Sequence, residues 1–217
     1  MKNLNLFVFV FFLLGLFLTC QAQNKSVTKT FEVTDFDKIA LNNVNGEVKI
    51  EVGKPFSVSI TMDSQDFENL QVEKGAEYKL TIALTKKKGN WYEGDDAKIT
   101  ITMPEISKLY NNSNANVSIA NIKGRYLGIE NNSNGDVVVK GQIVDLLDIE
   151  NIGNGDVKTK NLEAKEVNVG KYGNGNVEIK TNQTFKAKLA GNGDIVNFGS
   201  GMASIAKQSG NGKAINR

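Results

Sequence analysis

The sequence predicts an all-β protein: a single-stranded parallel β-helix of about 20 residues per coil, with an antiparallel β insertion near its N-terminus. Three observations predict it. First, an Asn-Gly corner or close variant recurs at Asn45-Gly46, Asn114-Ala115, Asn134-Gly135, Asn154-Gly155, Asn174-Gly175, Asn192-Gly193 and Asn211-Gly212. From Asn114 onward the intervals are 20, 20, 20, 18 and 19 residues, the size of period that marks a solenoid. Second, apolar residues keep the same register. Val117, Val137, Val157, Val177 and Ile195 each lie three residues after a corner Asn. Leu109, Ile129, Ile149, Val169 and Leu189 form another column, and Leu127, Leu147, Val167 and Ala187 a third, two residues ahead of it. A spacing of two within a strand places both columns on one face. Third, the chain of 217 residues contains 27 Asn and 21 Gly, the residue types that tolerate positive φ and tight corners.

Taken in order, the chain opens with an export signal. Lys2 precedes an uncharged apolar run, Leu6 to Leu18, which at 13 residues is too short to span a bilayer as a helix. Cys20-Gln21-Ala22 then offers small residues for cleavage after Ala22, giving a signal peptide over 1–22 and a mature domain over 23–217. Cys20 also permits lipidation, the alternative route to an envelope anchor. Residues 53–107 break the period. Segments 56–60, 78–84 and 97–103 alternate in polarity, so this stretch reads as an antiparallel unit covering the solenoid end, with Pro104 closing it. Regular coils occupy 108–217, each with a strand on either side of its Asn corner. A second corner falls seven residues later, at Gly141, Asn161 and Gly199, with Thr181-Asn182 in the equivalent place.

A meander of antiparallel hairpins is the competing arrangement, and Asn-Gly is a strong hairpin signal. The columns favour stacking. A meander has no reason to repeat one residue type at one position through successive repeats, whereas a shaft of constant cross-section does. Stacking also gives Asn114, Asn134, Asn154, Asn174 and Asn192 a role: a corner ladder of side-chain amides, each bond contributing about 1 kcal/mol.

Composition excludes several chemistries. The absence of His removes His-dependent triads and His metal sites, and the single Cys removes an intrachain disulfide framework and Cys-based zinc. A formal charge of +2 gives no electrostatic case for nucleic acid. No second apolar run suggests a membrane-spanning helix.

The corner motifs Asn-Ser-Asn-Gly-Asp-Val at 132–137 and Gly-Asn-Gly-Asp-Val at 153–157 resemble those of the head GIN domain family of bacterial auto-transporter adhesins. The resemblance extends over roughly residues 30 to 215, and the segment 36–41 before Asn45-Gly46-Glu47-Val48 looks like the family's first strand and corner. It implies a right-handed parallel β-helix akin to the pectin-lyase architecture, without conserved catalytic residues. It also implies placement in the cell envelope, commonly of Bacteroidetes-type bacteria. Asn stands here where the family prefers Ser or Gly, and Ala115 replaces a corner Gly.

Candidate chemistry is sparse. Asp136, Asp156 and Asp194 follow corner glycines, with Asn116 and Asn176 in the same column. Stacked coils would bring Asp136 and Asp156 within about 5 Å, a weak candidate pair for calcium or acid–base work; solvated carboxylates at a position favouring short polar residues are the plainer reading. Trp91 and Tyr92, flanked by Lys86–Lys88 and by Glu93, Asp95 and Asp96, are the best single contact site for a glycan or protein. Lys158, Lys160, Lys165, Lys171, Lys180, Lys186 and Lys188 read as an exposed sheet face. The expected role is a non-catalytic secreted or envelope-anchored binding protein with no cofactor. A polysaccharide-acting enzyme on the same scaffold and a structural accessory of the envelope are the alternatives.

Overall fold

A computed structural model describes residues 26–85 and 96–217. The signal segment with Cys20, and the loop carrying Trp91 and Tyr92, lie outside the described residues. The strands are β1 (Ser26–Phe31), β2 (Lys38–Asn42), β3 (Gly46–Val52), β4 (Ser57–Asp63), β5 (Leu70–Lys74), β6 (Lys79–Leu84), β7 (Ala97–Met103), β8 (Lys108–Asn112), β9 (Asn116–Asn131), β10 (Val137–Asn151), β11 (Val157–Lys171), β12 (Val177–Lys180), β13 (Phe185–Ala190), β14 (Ile195–Asn197), β15 (Ala203–Ser209) and β16 (Ala214–Asn216). All sixteen belong to one mixed, unclosed sheet, and there is no α-helix among the described residues.

From β8 onward the pairing is parallel. Val117 pairs with Val137, Val137 with Val157, Val157 with Val177, Val177 with Ile195, and Ile195 with Ala214. These are neighbouring backbones, so the hairpin meander is excluded. The valines and Ile195 are buried, and burial of each such side chain contributes roughly 1.5–3 kcal/mol. Like-sized residues recur because each side chain rests on its counterpart in the coil beneath.

The step between Asn174 and Asn192 is only 18 residues, and its effect falls on the columns. Val169 pairs with Ala187, not Leu189, and Leu189 pairs with Lys171. A column counted in twenties therefore slips by two, which preserves the face because two is the strand period.

The N-terminal segment departs from a purely antiparallel insertion. β4 runs antiparallel to β1 and β7, and β5 antiparallel to β6. However, β6 pairs in parallel with β2, and β7 in parallel with β3, while β2 and β3 pair in turn with β8 and β9. β6 and β7 thus supply another layer, stacked outside the layer of β2 and β3 and out of chain order. Alternating polarity marks one buried face and carries no sign of strand direction, so the sequence does not separate the two cases.

Gly46 has the positive φ expected of a corner glycine, but from the Asn134 corner onward glycine has a different cause. Gly135, Gly155, Gly175, Gly193 and Gly212 are absent from the positive-φ residues. A Cβ at Gly155 would instead lie 2.0 Å from the carbonyl oxygen of Gly135, and one at Gly175 2.0 Å from that of Gly155. The coils approach too closely there for any side chain.

Candidate functional site

Polar side chains form three ladders along the shaft. The outermost joins the corner asparagines. Each Nδ2 donates to the Oδ1 of the preceding coil: Asn134 to Asn114 at 3.0 Å, Asn154 to Asn134 at 2.8 Å, Asn174 to Asn154 at 2.9 Å and Asn192 to Asn174 at 2.9 Å. Asn211 extends it to Asn192 at 3.1 Å, and Asn114 reaches Asn45 at 3.4 Å. These amides are exposed, and several line an open polar cleft of about 480 Å³.

Two residues further along runs the column of Asn116, Asp136, Asp156, Asn176 and Asp194. Here each side-chain oxygen accepts the backbone N–H of its counterpart in the next coil. Asn116 Oδ1 receives Asp136 N at 3.0 Å, Asp136 Oδ1 receives Asp156 N at 2.9 Å, Asp156 Oδ1 receives Asn176 N at 2.8 Å, and Asn176 Oδ1 receives Asp194 N at 2.9 Å. Lys158 Nζ lies 2.6 Å from Asp136 Oδ2 and 3.2 Å from Asp156 Oδ2. The stacked acids therefore face an ammonium group and backbone amides. No group of three or more metal-ligating side chains occurs among the described residues.

The electrostatics follow. Burial by itself would raise the Asp136 pKa, but the Lys158 ammonium and the Asp156 amide outweigh it and hold it below the ordinary 3.8. The hydrogen bond to Asp136 is the main factor holding Lys158 above 10.5. That is the wrong direction for a lysine acting as general base at neutral pH.

The third ladder is internal. Asn111 Nδ2 donates to Asn131 Oδ1 at 2.9 Å, and Asn131 Nδ2 to Asn151 Oδ1 at 3.1 Å. Asn131 and Asn151 also donate to the carbonyls of Gly135 and Gly155, tying the strand end to the following corner. All three are buried. Lys171 pairs with Asn151 and occupies the same column. It is not part of an exposed face: it is fully buried, and its Nζ donates to the Gly173 carbonyl at 2.7 Å. Burial pushes its pKa below 10.5, only partly opposed by Asp194. The signal was present in the spacing, since 111, 131, 151 and 171 lie 20 apart and 171 is two beyond the inward Val169.

A second cleft of about 480 Å³ opens on the outer face of the strands before the corners. Two positions two residues apart build it. One row pairs Lys108, Gly128, Asp148, Asn168 and Lys186 in successive coils; the other pairs Tyr110, Glu130, Glu150, Gly170 and Lys188. Tyr126 and Tyr172 lie over the two glycines. A Cβ on Gly128 would sit 2.7 Å from the Tyr126 hydroxyl, and one on Gly170 2.9 Å from the Tyr172 ring. Asn168 donates to Asp148 at 2.6 Å, Lys108 pairs with Glu130 at 3.3 Å, and the Lys108 ammonium lies 4.3 Å from the Tyr110 ring centre. Burial and the Asp148 carboxylate raise the Tyr126 pKa above 10.0, with Lys108 opposing. Burial alone would lower the pKa of Lys108, but Glu130 and Tyr110 hold it above 10.5. Lys186 and Lys188 lie on this face as the sequence predicts, and the two tyrosines leave only the trace of a Gly two residues from a Tyr, at Tyr126–Gly128 and Gly170–Tyr172.

Comparison with known proteins gives one family. The sequence profile described as "putative auto-transporter adhesin, head GIN domain" matches residues 35–201. Among solved structures, the chain is similar to a putative adhesin from Bacteroides fragilis NCTC 9343, with 23% identity and a TM-score of 0.66, covering 90% of this chain and 98% of that one. It is also similar to a putative lipid binding protein from Parabacteroides distasonis ATCC 8503, at 20% identity and a TM-score of 0.48, covering 88% and 96% of the two chains. A putative adhesin from the same organism matches at 18% identity and a TM-score of 0.46, covering 89% and 98%. No curated protein matches this chain.

Proposed function

Because the chain belongs to the head GIN domain family of putative auto-transporter adhesins, we propose that it is a non-catalytic adhesin-like protein, exported by its N-terminal segment and held at the cell envelope. In this reading the chain winds as a right-handed β-helix. It works by display, as a stiff shaft that offers flat polar faces and the Trp91–Tyr92 loop to a surface glycan or protein. The observation that supports the reading is the in-register pairing of coils with their polar side chains engaged along the shaft. Such a column is rigid, so many weak contacts are made without an ordering cost at each one. The stacked Asp136 and Asp156 hydrogen-bond backbone and Lys158, which favours a structural role over catalysis.

The test is adherence. Beads coated with residues 23–217 are expected to adhere to immobilised mucin or extracellular-matrix protein more than uncoated beads do. Equal adherence by coated and bare beads overturns the adhesin reading. Replacing Trp91 and Tyr92 together with Ala is expected to abolish adherence; full retention removes that loop from the contact.

A further inference from the structure

The Tyr126–Tyr172 cleft has features that a merely solvated sheet face does not need. Most outward side chains on a sheet stand away from it. These two rings lie along the strand direction instead, in space vacated by Gly128 and Gly170. Each remains partly open, Tyr126 at 39% and Tyr172 at 41% exposure, so a ring surface is available while its orientation is already restricted. A pre-positioned aromatic surface costs little entropy to use.

The pairing fixes their separation. Gly128 lies two coils from Asn168, and Gly170 is two residues further along the Asn168 strand. At ordinary strand spacings the two glycines are about 10–12 Å apart, on a diagonal to the shaft. That is the reach from one sugar ring to the next but one in an extended oligosaccharide. On the intervening coil, Asp148 and Glu150 present carboxylates between the rings. Lysines stand at the ends of the cleft, Lys108 at one and Lys186 and Lys188 at the other.

We propose that this cleft is a binding site for a neutral oligosaccharide, one sugar face resting on Tyr126 and another on Tyr172, with hydroxyls between them donating to Asp148 and Glu150. The chemistry selects this ligand class. A sugar ring has an apolar face that matches an aromatic surface and a rim of hydroxyl donors that matches carboxylates. A polyanion would meet Glu130, Asp148 and Glu150 at the centre, where like charges repel. A lipid tail would meet charged groups between the rings in place of a continuous apolar surface. This proposal rests on the adhesin reading and gives it a site distinct from the Trp91–Tyr92 loop.

The experiment uses residues 23–217 on an array of neutral and acidic oligosaccharides with their component monosaccharides, followed by calorimetric titration of each hit. The expected result is binding of an extended neutral oligosaccharide, with its monosaccharide at least about tenfold weaker. Tyr126→Ala and Tyr172→Ala should each weaken binding by about tenfold or more, while Tyr126→Phe and Tyr172→Phe stay within about threefold of the parent. Thermal melting of all four variants should match the parent, separating loss of contact from loss of fold. The proposal is overturned if no neutral oligosaccharide binds, if only polyanions bind, or if a neutral hit keeps its affinity when Tyr126 and Tyr172 are both replaced with Ala. Adherent beads combined with any of those three results would remove this site and leave the adhesin reading standing. Equal adherence by coated and bare beads together with neutral oligosaccharide binding would overturn the adhesin reading and leave this site standing.

Discussion

The shaft carries two asparagine ladders made from the same residue, the same 20-residue repeat and nearly the same bond. Outside, Asn154 donates to Asn134 at 2.8 Å; inside, Asn131 donates to Asn151 at 3.1 Å. They differ in what replaces the bond when it is lost. The outer amides are exposed, and water takes the place of a missing partner. The inner ones are fully buried, where an unpaired donor or carbonyl has no substitute. Hydrogen-bond geometry is therefore a poor guide to energetic weight in this molecule, and burial decides it. The outer ladder joins coils at their exposed corners; the inner one also satisfies polar groups that water does not reach.

The sharpest way to break that contrast is Asn131→Ala. It strips the Asn111 amide of one acceptor and the Gly135 carbonyl of a donor within the core, and leaves a void. Chemical denaturation should show a loss of about 2–4 kcal/mol. If the loss matched that of an outer asparagine, burial would not be the deciding factor.

Lys171→Asn should act in the opposite direction. It continues the inner ladder and removes a buried ammonium, and is expected to stabilise the fold by about 1–2 kcal/mol near neutral pH. The pH dependence has a definite sign. The folded-state pKa of Lys171 lies below the unfolded 10.5, so across that window the unfolded chain binds the additional proton. The parent therefore gains stability as pH rises through the folded pKa towards 10.5. Denaturation curves of parent and variant should be furthest apart at neutral pH and converge as pH rises. A constant gap would mean that burial of the charge is not the cause.

The smallest effect is expected outside. Asn154→Ala should cost under about 1 kcal/mol, because each severed amide regains water. A loss as large as that for Asn131→Ala would show that the outer ladder acts as a cooperative unit.

The molecule was legible in its sequence to different depths. Val137, Val157 and Val177 announced their stacking because a close-packed shaft penalises any change of size at one level. The corner asparagines were legible for the same reason of repetition. Residue type places Lys171 on the surface, whereas its position two residues beyond Val169 places it inward, and the structure follows position. Tyr126 and Tyr172 are not legible in the pattern because neither repeats. Each meets its glycine through one local contact, and single contacts leave no period.

What the sequence determined by itself was a β-rich chain with a 20-residue period and an inward and an outward face on each strand, since side-chain alternation and repeat length are local properties of the backbone. Tertiary structure alone decided that β6 and β7 form a parallel layer beyond β2 and β3, that corner glycines answer to the carbonyl of the coil beneath them, and that two tyrosines from coils two apart border one cleft. Each of these depends on which backbones lie side by side. Where no repeat marks them, strand direction and neighbour identity are set by the packing of the whole shaft, and no local pattern encodes them.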